Sequence, residues 1–184
     1  MSGFGVLRVR WGAGLVIAAL GLLGSQVGWS QMRIPEVHGS SFAATAVNLP
    51  EDLKGRPGVL VVGFSQGSRD AVTAWGKRLA VDYLKSDSVV YYEMPVLAAV
   101  PRMLRGFVMG RIKASVSEPA RPHFVPLLDD EAAWRRVANY KEADGAYVLV
   151  IDGQGLVRWQ MQGLPTEESY GAVKRQVEML RTGH

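Results

Sequence analysis

The stretch that most constrains the fold is an apolar run that ends in a tight polar turn. Val59 to Phe64 is uncharged and rich in β-branched residues. Such a run is typical of a strand buried on both faces of a sheet. The turn Ser65-Gln66-Gly67-Ser68 follows, and apolar residues then recur every three or four positions from 71 to 83. This spacing predicts an amphipathic helix, with Ser68 as its N-cap.

The rest of the chain alternates strand and helix patterns. The predicted elements are, in order, a strand at 89–94, a helix at 101–112, an extended piece at 124–128, a helix capped by Asp130, a hairpin at 146–162 and a helix from 165. Helical crossovers predict parallel strands, and the hairpin adds an antiparallel edge. We therefore predict a single α/β domain at 55–184, with a mixed sheet flanked by helices. An extended segment at 31–54, with an edge hairpin at 42–49, precedes it.

The hairpin carries the most specific local motif. Its sequence is Tyr147-Val148-Leu149-Val150-Ile151-Asp152-Gly153-Gln154-Gly155-Leu156-Val157-Arg158-Trp159, with Gly163 after it. This segment resembles the corresponding hairpin of TlpA-like proteins and peroxiredoxins. The resemblance extends over residues 55–180 and implies a thioredoxin-like fold.

The chain departs from the redox members of that superfamily where they carry out chemistry. Ser65 and Ser68 stand where the redox cysteines would be, and the whole sequence contains no cysteine. Gly145-Ala146 replaces the cis-proline position before the hairpin. A serine hydroxyl cannot cycle between thiol and disulfide. Thiol redox catalysis is therefore excluded, and no catalytic residue is predicted.

A second resemblance is to the thioredoxin-like assembly factor family of the mitochondrial ATP synthase, which also lacks the redox pair. Residues that fit its pattern are Tyr147, Val148, Val150, Asp152, Arg158, Trp159, Gly163 and the segment Leu49-Pro50-Glu51-Asp52-Leu53-Lys54-Gly55. The resemblance implies a non-catalytic chaperone that helps insert a hydrophobic subunit into a membrane complex.

The N-terminus has the pattern of an export signal. Arg8 and Arg10 precede the apolar stretch Leu15–Leu23, and small residues lead up to Gln31. This predicts a signal peptide at 1–30, with an uncleaved signal anchor as the alternative. We expect an exported, periplasmic or envelope-associated protein. The alternative is mitochondrial, because an arginine-containing, acid-free start also resembles a presequence.

Overall charge gives no support for nucleic-acid binding. Without Arg8 and Arg10, the 21 lysines and arginines become 19, against 17 acidic residues. The resulting charge of +2 is too small to indicate a nucleic-acid partner. His38 and His123 are too few and too far apart for a metal site, so neither metal nor cofactor is predicted.

The candidate binding residues fall into four groups. They are Ser65, Gln66, Ser68 and Arg69 in the turn, Arg102, Arg105 and Arg111 in the second helix, Arg121 and His123 before the middle strand, and Arg158 and Trp159 in the hairpin. The first group lies at a helix N-terminus, where free N–H groups favour an anion or a peptide backbone. The plainer interpretation is a capped helix with a solvated arginine.

The other groups also allow two interpretations. A basic amphipathic helix suits anionic lipid or a partner helix, or is simply a solvated face whose apolar side packs on the sheet. Arg121 and His123 are predicted to face the cysteine-free turn. Arg158 and Trp159 are either partner anchors or an exposed arginine beside a buried indole.

Three functions follow from these patterns. The first is a non-redox protein that binds a protein partner, such as an integral membrane subunit, with contact to the membrane surface as a further option. The second is an oxidoreductase of the peroxiredoxin or TlpA class, against which the missing cysteine argues directly. The third is a small-anion carrier that uses the turn at 65–69.

Overall fold

A computed structural model describes residues 32–183 of the chain. The predicted leader at 1–30 lies outside these residues. The strands are β1 (Val37–Ser40), β2 (Ala46–Leu49), β3 (Gly55–Gly63), β4 (Val90–Pro95), β5 (Ala146–Gly153) and β6 (Val157–Gln162). The helices are α1 (Arg69–Tyr83), α2 (Arg102–Ser115), α3 (Glu131–Val137) and α4 (Glu167–Thr182), with 3-10 turns at Glu51–Leu53 and Glu118–His123.

The predicted mixed sheet is confirmed, with strand order β4-β3-β5-β6. β3 and β4 are parallel and in register from Gly58 opposite Val90 to Gly63 opposite Pro95. β5 runs antiparallel to both β3 and β6. The ends of β3 and β4 and the start of β5 therefore meet at one end of the sheet.

The central strands are apolar along their length because both faces of the sheet are covered. One face packs Leu60, Val62 and Leu149 against Trp134 of α3. The other packs Val59, Val61 and Val150 against Trp75 of α1 and Val173 of α4. Trp75 is fully buried, and its indole N–H donates to the carbonyl of Gly163 at 2.8 Å. Full burial of an aliphatic or phenylalanine side chain contributes about 1.5–3 kcal/mol, and the larger Trp75 indole anchors α1 to the sheet.

The segment before β3 is more structured than its composition indicates. β1 and β2 form a separate hairpin that spans 37–49, so the predicted hairpin at 42–49 began too late. Leu49 and Leu53 are fully buried in the core. The predicted piece at 124–128 runs beside β4, where Phe124 bridges Glu93 and Leu127 bridges Val96.

The start of α3 differs from the prediction, and the start of α4 has a cap that was not predicted. Asp130 precedes α3 in a left-handed conformation (φ 54°), and its side chain accepts no capping hydrogen bond. Thr166 and Ser169 instead form a reciprocal capping box at the start of α4. Within residues 32–183, no helix is both long and apolar enough to cross a membrane.

Candidate functional site

The turn between β3 and α1, which we call the corner (residues 65–69), is closed by an acidic side chain from another part of the chain. The Ser65 hydroxyl donates to Oδ1 of Asp144 at 2.7 Å and accepts from the backbone N–H of Ser68 at 3.1 Å. Asp144 also lies against Gly67, where any Cβ would overlap its carboxylate. The Asp144 carboxylate therefore places a negative charge directly against the corner.

Ser68 does not act as the predicted N-cap. It has helical backbone angles, and its side chain accepts no capping bond. Its hydroxyl instead donates to the carbonyl of Ser65 at 2.8 Å, in a site only 1% exposed. The Ser65 hydroxyl in turn accepts the N–H of Ser68, which lies in the turn and not in the first turn of α1. The turn bends back on itself tightly enough to bring these two serines together.

The loop that carries Asp144 is held in place by hydrogen bonds from Tyr147 and Gln162. The buried Tyr147 hydroxyl accepts from the N–H groups of Lys141 and Glu142, both at 2.9 Å, and donates to the carbonyl of Glu142 at 2.7 Å. Gln162 donates to the Glu142 carboxylate at 2.6 Å. Asp144 is thus held beside Ser65 by its own loop.

α2 is the second distinctive feature, because none of its residues is buried. Met103 is 89% exposed, Phe107 66% and Leu104 49%. Any Cβ added at Gly106 or Gly110 would meet open space. The expectation that the apolar side of this helix packs on the sheet is therefore wrong. Arg102 and Arg111 are exposed, and the Arg111 guanidinium lies 5.8 Å from the centre of the Phe107 ring.

Arg105 differs from its two neighbours in α2. It turns back on the preceding loop, donating to the carbonyls of Ala98 and Val100, each at 2.9 Å. That loop starts beside the corner, since the N–H of Val96 donates to the carbonyl of Gly63 at 2.8 Å. Arg105 positions α2 relative to the end of the sheet and is not free to bind a partner.

The arrangement of strands and helices agrees with a group of solved structures. Exposed lipoprotein thioredoxin Etrx1 of Streptococcus pneumoniae has a TM-score of 0.58 at 11% identity, with 79% of this chain and 100% of that chain covered. The chain has a thioredoxin-like fold. StoA of Bacillus subtilis (TM-score 0.53, 14% identity) covers 76% of this chain and 96% of its own. The thioredoxin domain of a Bacteroides vulgatus thiol-disulfide oxidoreductase has a TM-score of 0.52 at 15% identity, with 80% of this chain and 96% of that chain covered.

These likenesses establish the fold and no more at such low identity. No protein-family model and no curated protein matches the sequence. Ser65 and Ser68, which the resemblance of the sequence aligns with redox cysteines, both lie in the corner between β3 and α1. The contact with Asp144 could not be predicted from local patterns, although the departure at Gly145-Ala146 marked the segment next to it.

His123 and Arg121 do not face the corner of this thioredoxin-like chain. The His123 ring stacks on Tyr91 with centroids 4.1 Å apart, and its Nδ1 lies 3.1 Å from the Tyr91 carbonyl. Tyr91 pairs with Val59 in the middle of β3, and His123 lines a hollow with Tyr83 and Ser86 at the C-terminal end of α1, away from the corner. Burial lowers the pKa of His123. Arg121 contacts Glu118 at 3.5 Å.

Arg158 and Trp159 serve the hairpin more than an open surface. Two guanidinium nitrogens of Arg158 contact Oδ2 of Asp152, at 2.6 and 2.7 Å. Burial acts to raise the pKa of Asp152, but the N–H groups of Leu156 and Gln154 together with Arg158 hold it below its usual value. Trp159 is half-buried against the α1 and α4 side of the core.

Glu93 is the residue that sequence patterns missed most clearly. It lies on β4, 5% exposed, with its carboxyl directed at Gly76 of α1. Burial raises the pKa of Glu93 to about 8, and no hydrogen bond or ion pair within residues 32–183 offsets that burial. Its only sequence signal is an acidic residue inside an otherwise apolar strand.

Proposed function

We propose that this thioredoxin-like protein acts without thiol chemistry as a binding protein of the cell envelope, with a membrane-associated protein as its partner. The role we assign to it is assembly of a membrane complex. The observation that carries the proposal is the unpacked face of α2, where Met103 and Phe107 are exposed. Apolar side chains exposed together in this way mark interaction surfaces.

The corner supports a binding role over two alternatives. A thiol oxidoreductase needs a reactive cysteine, and the sequence has none. A small-anion carrier needs a free anion site, but the Asp144 carboxylate already accepts the Ser65 hydroxyl at the start of α1. A second negative group would be repelled there. Gln66 and Arg69 stay exposed at the rim and are available to a protein partner.

An envelope location is supported by two observations. The neighbour Etrx1 is an exposed lipoprotein, and the stretch Leu15–Leu23 follows Arg8 and Arg10 as in an export signal. The structural neighbours give no support to the mitochondrial alternative. The assembly role itself rests on the resemblance to the ATP synthase assembly factor family and on the face of α2.

Photo-crosslinking in cells tests the proposal. A photoreactive amino acid at position 107 should capture one integral membrane protein reproducibly, whereas the same group at Val81, an 81% exposed apolar residue of α1, should not. The Arg102→Glu/Arg111→Glu variant should lose the crosslink, and Lys77→Glu/Lys85→Glu should keep it. Arg105 is left intact because it holds the helix in place. No crosslink at 107, or equal capture at 81, would refute the proposal.

A further inference from the structure

The charge on α2 and its flanks is entirely positive. From Pro95 to Ser117 the chain has Arg102, Arg105, Arg111 and Lys113 and no acidic residue. Since Arg105 binds the preceding loop, three cations remain at the surface. Helices in soluble domains usually mix both signs, so a run without acids points to an anionic partner.

The exposed apolar residues and these cations lie on the same outward face. At 3.6 residues per turn, Met103, Phe107, Gly110 and Ala114 form one stripe along α2. Cations flank the stripe, with Arg111 on one side and Arg102 and Lys113 on the other. The half-exposed Val108, Met109 and Ile112 lie on the opposite side, toward the body of the protein.

We infer that α2 lies in the headgroup layer of an anionic bilayer. Met103 and Phe107 enter the acyl boundary, while Arg102, Arg111 and Lys113 contact lipid phosphates. A helix with an apolar stripe bordered by cations has the composition that binds such interfaces. The stripe extends along a helix about 21 Å long, as a flat interface requires. The inference rests on the proposed function, because a membrane-embedded partner would be met at this interface.

The absence of cysteine makes a direct test available. A single cysteine at Gly110, in the middle of the stripe and in open space, can carry an environment-sensitive fluorophore. Val81→Cys carries the same fluorophore on α1 as the control. The full chain is mixed with phosphatidylglycerol/phosphatidylcholine vesicles or with phosphatidylcholine vesicles alone. We expect a blue shift at position 110 with the anionic vesicles only, and none at position 81.

Charge variants measure how much of the vesicle binding is electrostatic. Each cation near an anionic surface changes partitioning by about fivefold, so Arg102→Gln/Arg111→Gln should lower the vesicle-dependent response by roughly 25-fold. Lys77→Gln/Lys85→Gln makes the same charge change on exposed positions outside α2 and should leave the response nearly unchanged.

Three results would overturn the inference: no shift at position 110, the same shift with neutral vesicles, or an equal shift at position 81. The last would show that another part of the chain, such as the apolar N-terminal segment, carries the protein to the vesicles. Crosslinking at position 107 to a membrane protein, in the absence of any vesicle response, would refute lipid contact and leave the proposed function standing.

Discussion

The carboxyl group of Glu93 on β4 packs against the backbone of Gly76 on α1, in space that any side chain at position 76 would fill. Helix α1 is the crossover between the parallel strands β3 and β4. The fit of Gly76 against Glu93 therefore depends on how α1 packs on the sheet. Glu93 is 5% exposed and has no partner charge within residues 32–183. The pair therefore tests both the packing and the electrostatics of this interface.

Gly76→Ala is expected to destabilise the protein, although alanine is the better helix former. An added methyl would overlap the Glu93 carboxyl, and overpacking of this kind costs about 1–3 kcal/mol. Gly106→Ala in α2 is the matched control, because open space surrounds that position. It should be neutral or stabilise by up to about 1 kcal/mol. Urea unfolding of both variants, and of Gly76→Ala in a Glu93→Ala background, measures the coupling. Equal costs of Gly76→Ala in the two backgrounds would contradict the overlap.

The pH dependence of stability should carry the signature of Glu93. Burial raises its pKa to about 8, from an ordinary 4.5, so the folded state holds a proton that the unfolded state releases. The free energy of unfolding then falls as pH rises from 4.5 to 8, by up to about 1.4 kcal/mol per pH unit. Below 4.5 this contribution is fully present.

Glu93→Gln isolates that contribution, because the amide fills similar space and does not titrate. As pH rises from 4.5 to 8, the unfolding free energy of wild type should fall relative to that of Glu93→Gln. Above pH 8 the difference between the two should stay constant. The opposing effect of His123, whose pKa is lowered by burial, cancels in the difference. A profile of Glu93→Gln parallel to wild type would show that Glu93 is ionised in the folded state.

Restoring cysteines at Ser65 and Ser68 should not create an efficient thiol oxidoreductase. The Asp144 carboxylate, which now accepts the Ser65 hydroxyl, would disfavour a thiolate beside it and raise the pKa of the new thiol. Gly145-Ala146 also stands where the redox families that the sequence resembles have the proline that shapes their substrate groove. Insulin reduction should stay near background, and iodoacetamide should react slowly at neutral pH. Adding Asp144→Asn should speed alkylation. Vigorous insulin reduction by the double cysteine variant would argue against a specialised non-redox corner.

Arg105→Gln should loosen α2, whereas Arg102→Gln should not. Arg105 ties α2 to the carbonyls of Ala98 and Val100, and a hydrogen bond to a charged group contributes about 1.5–3 kcal/mol. Hydrogen exchange of the α2 amides should therefore accelerate by about tenfold or more in Arg105→Gln. Similar exchange rates in both variants would show that Arg105 does not position the helix.

Local patterns in the sequence accounted for much of the fold. The apolar run of β3, the Asp-Gly hairpin of β5 and β6, and the helical spacing of α1 are each encoded within a few neighbouring residues. Their order restricted the topology, because crossovers and hairpins allow few arrangements. The lack of cysteine by itself excluded thiol redox chemistry, because thiol–disulfide exchange requires a cysteine sulfur whatever the fold. The hairpin of β1 and β2 was misplaced because its turn, with Ala44 at φ 62°, carries no glycine signal.

The site was decided by contacts between distant parts of the chain. Ser65 meets Asp144 across 79 positions in sequence, and Glu93 meets Gly76 only once α1 has packed on β4. The sequence identified Ser65, Arg102 and Arg105 as candidate binding residues. It could not show which of their side chains bind other parts of the same chain. The exposure of α2 has the same origin, since the periodicity of a helix gives it an apolar side and only tertiary packing determines whether that side is covered.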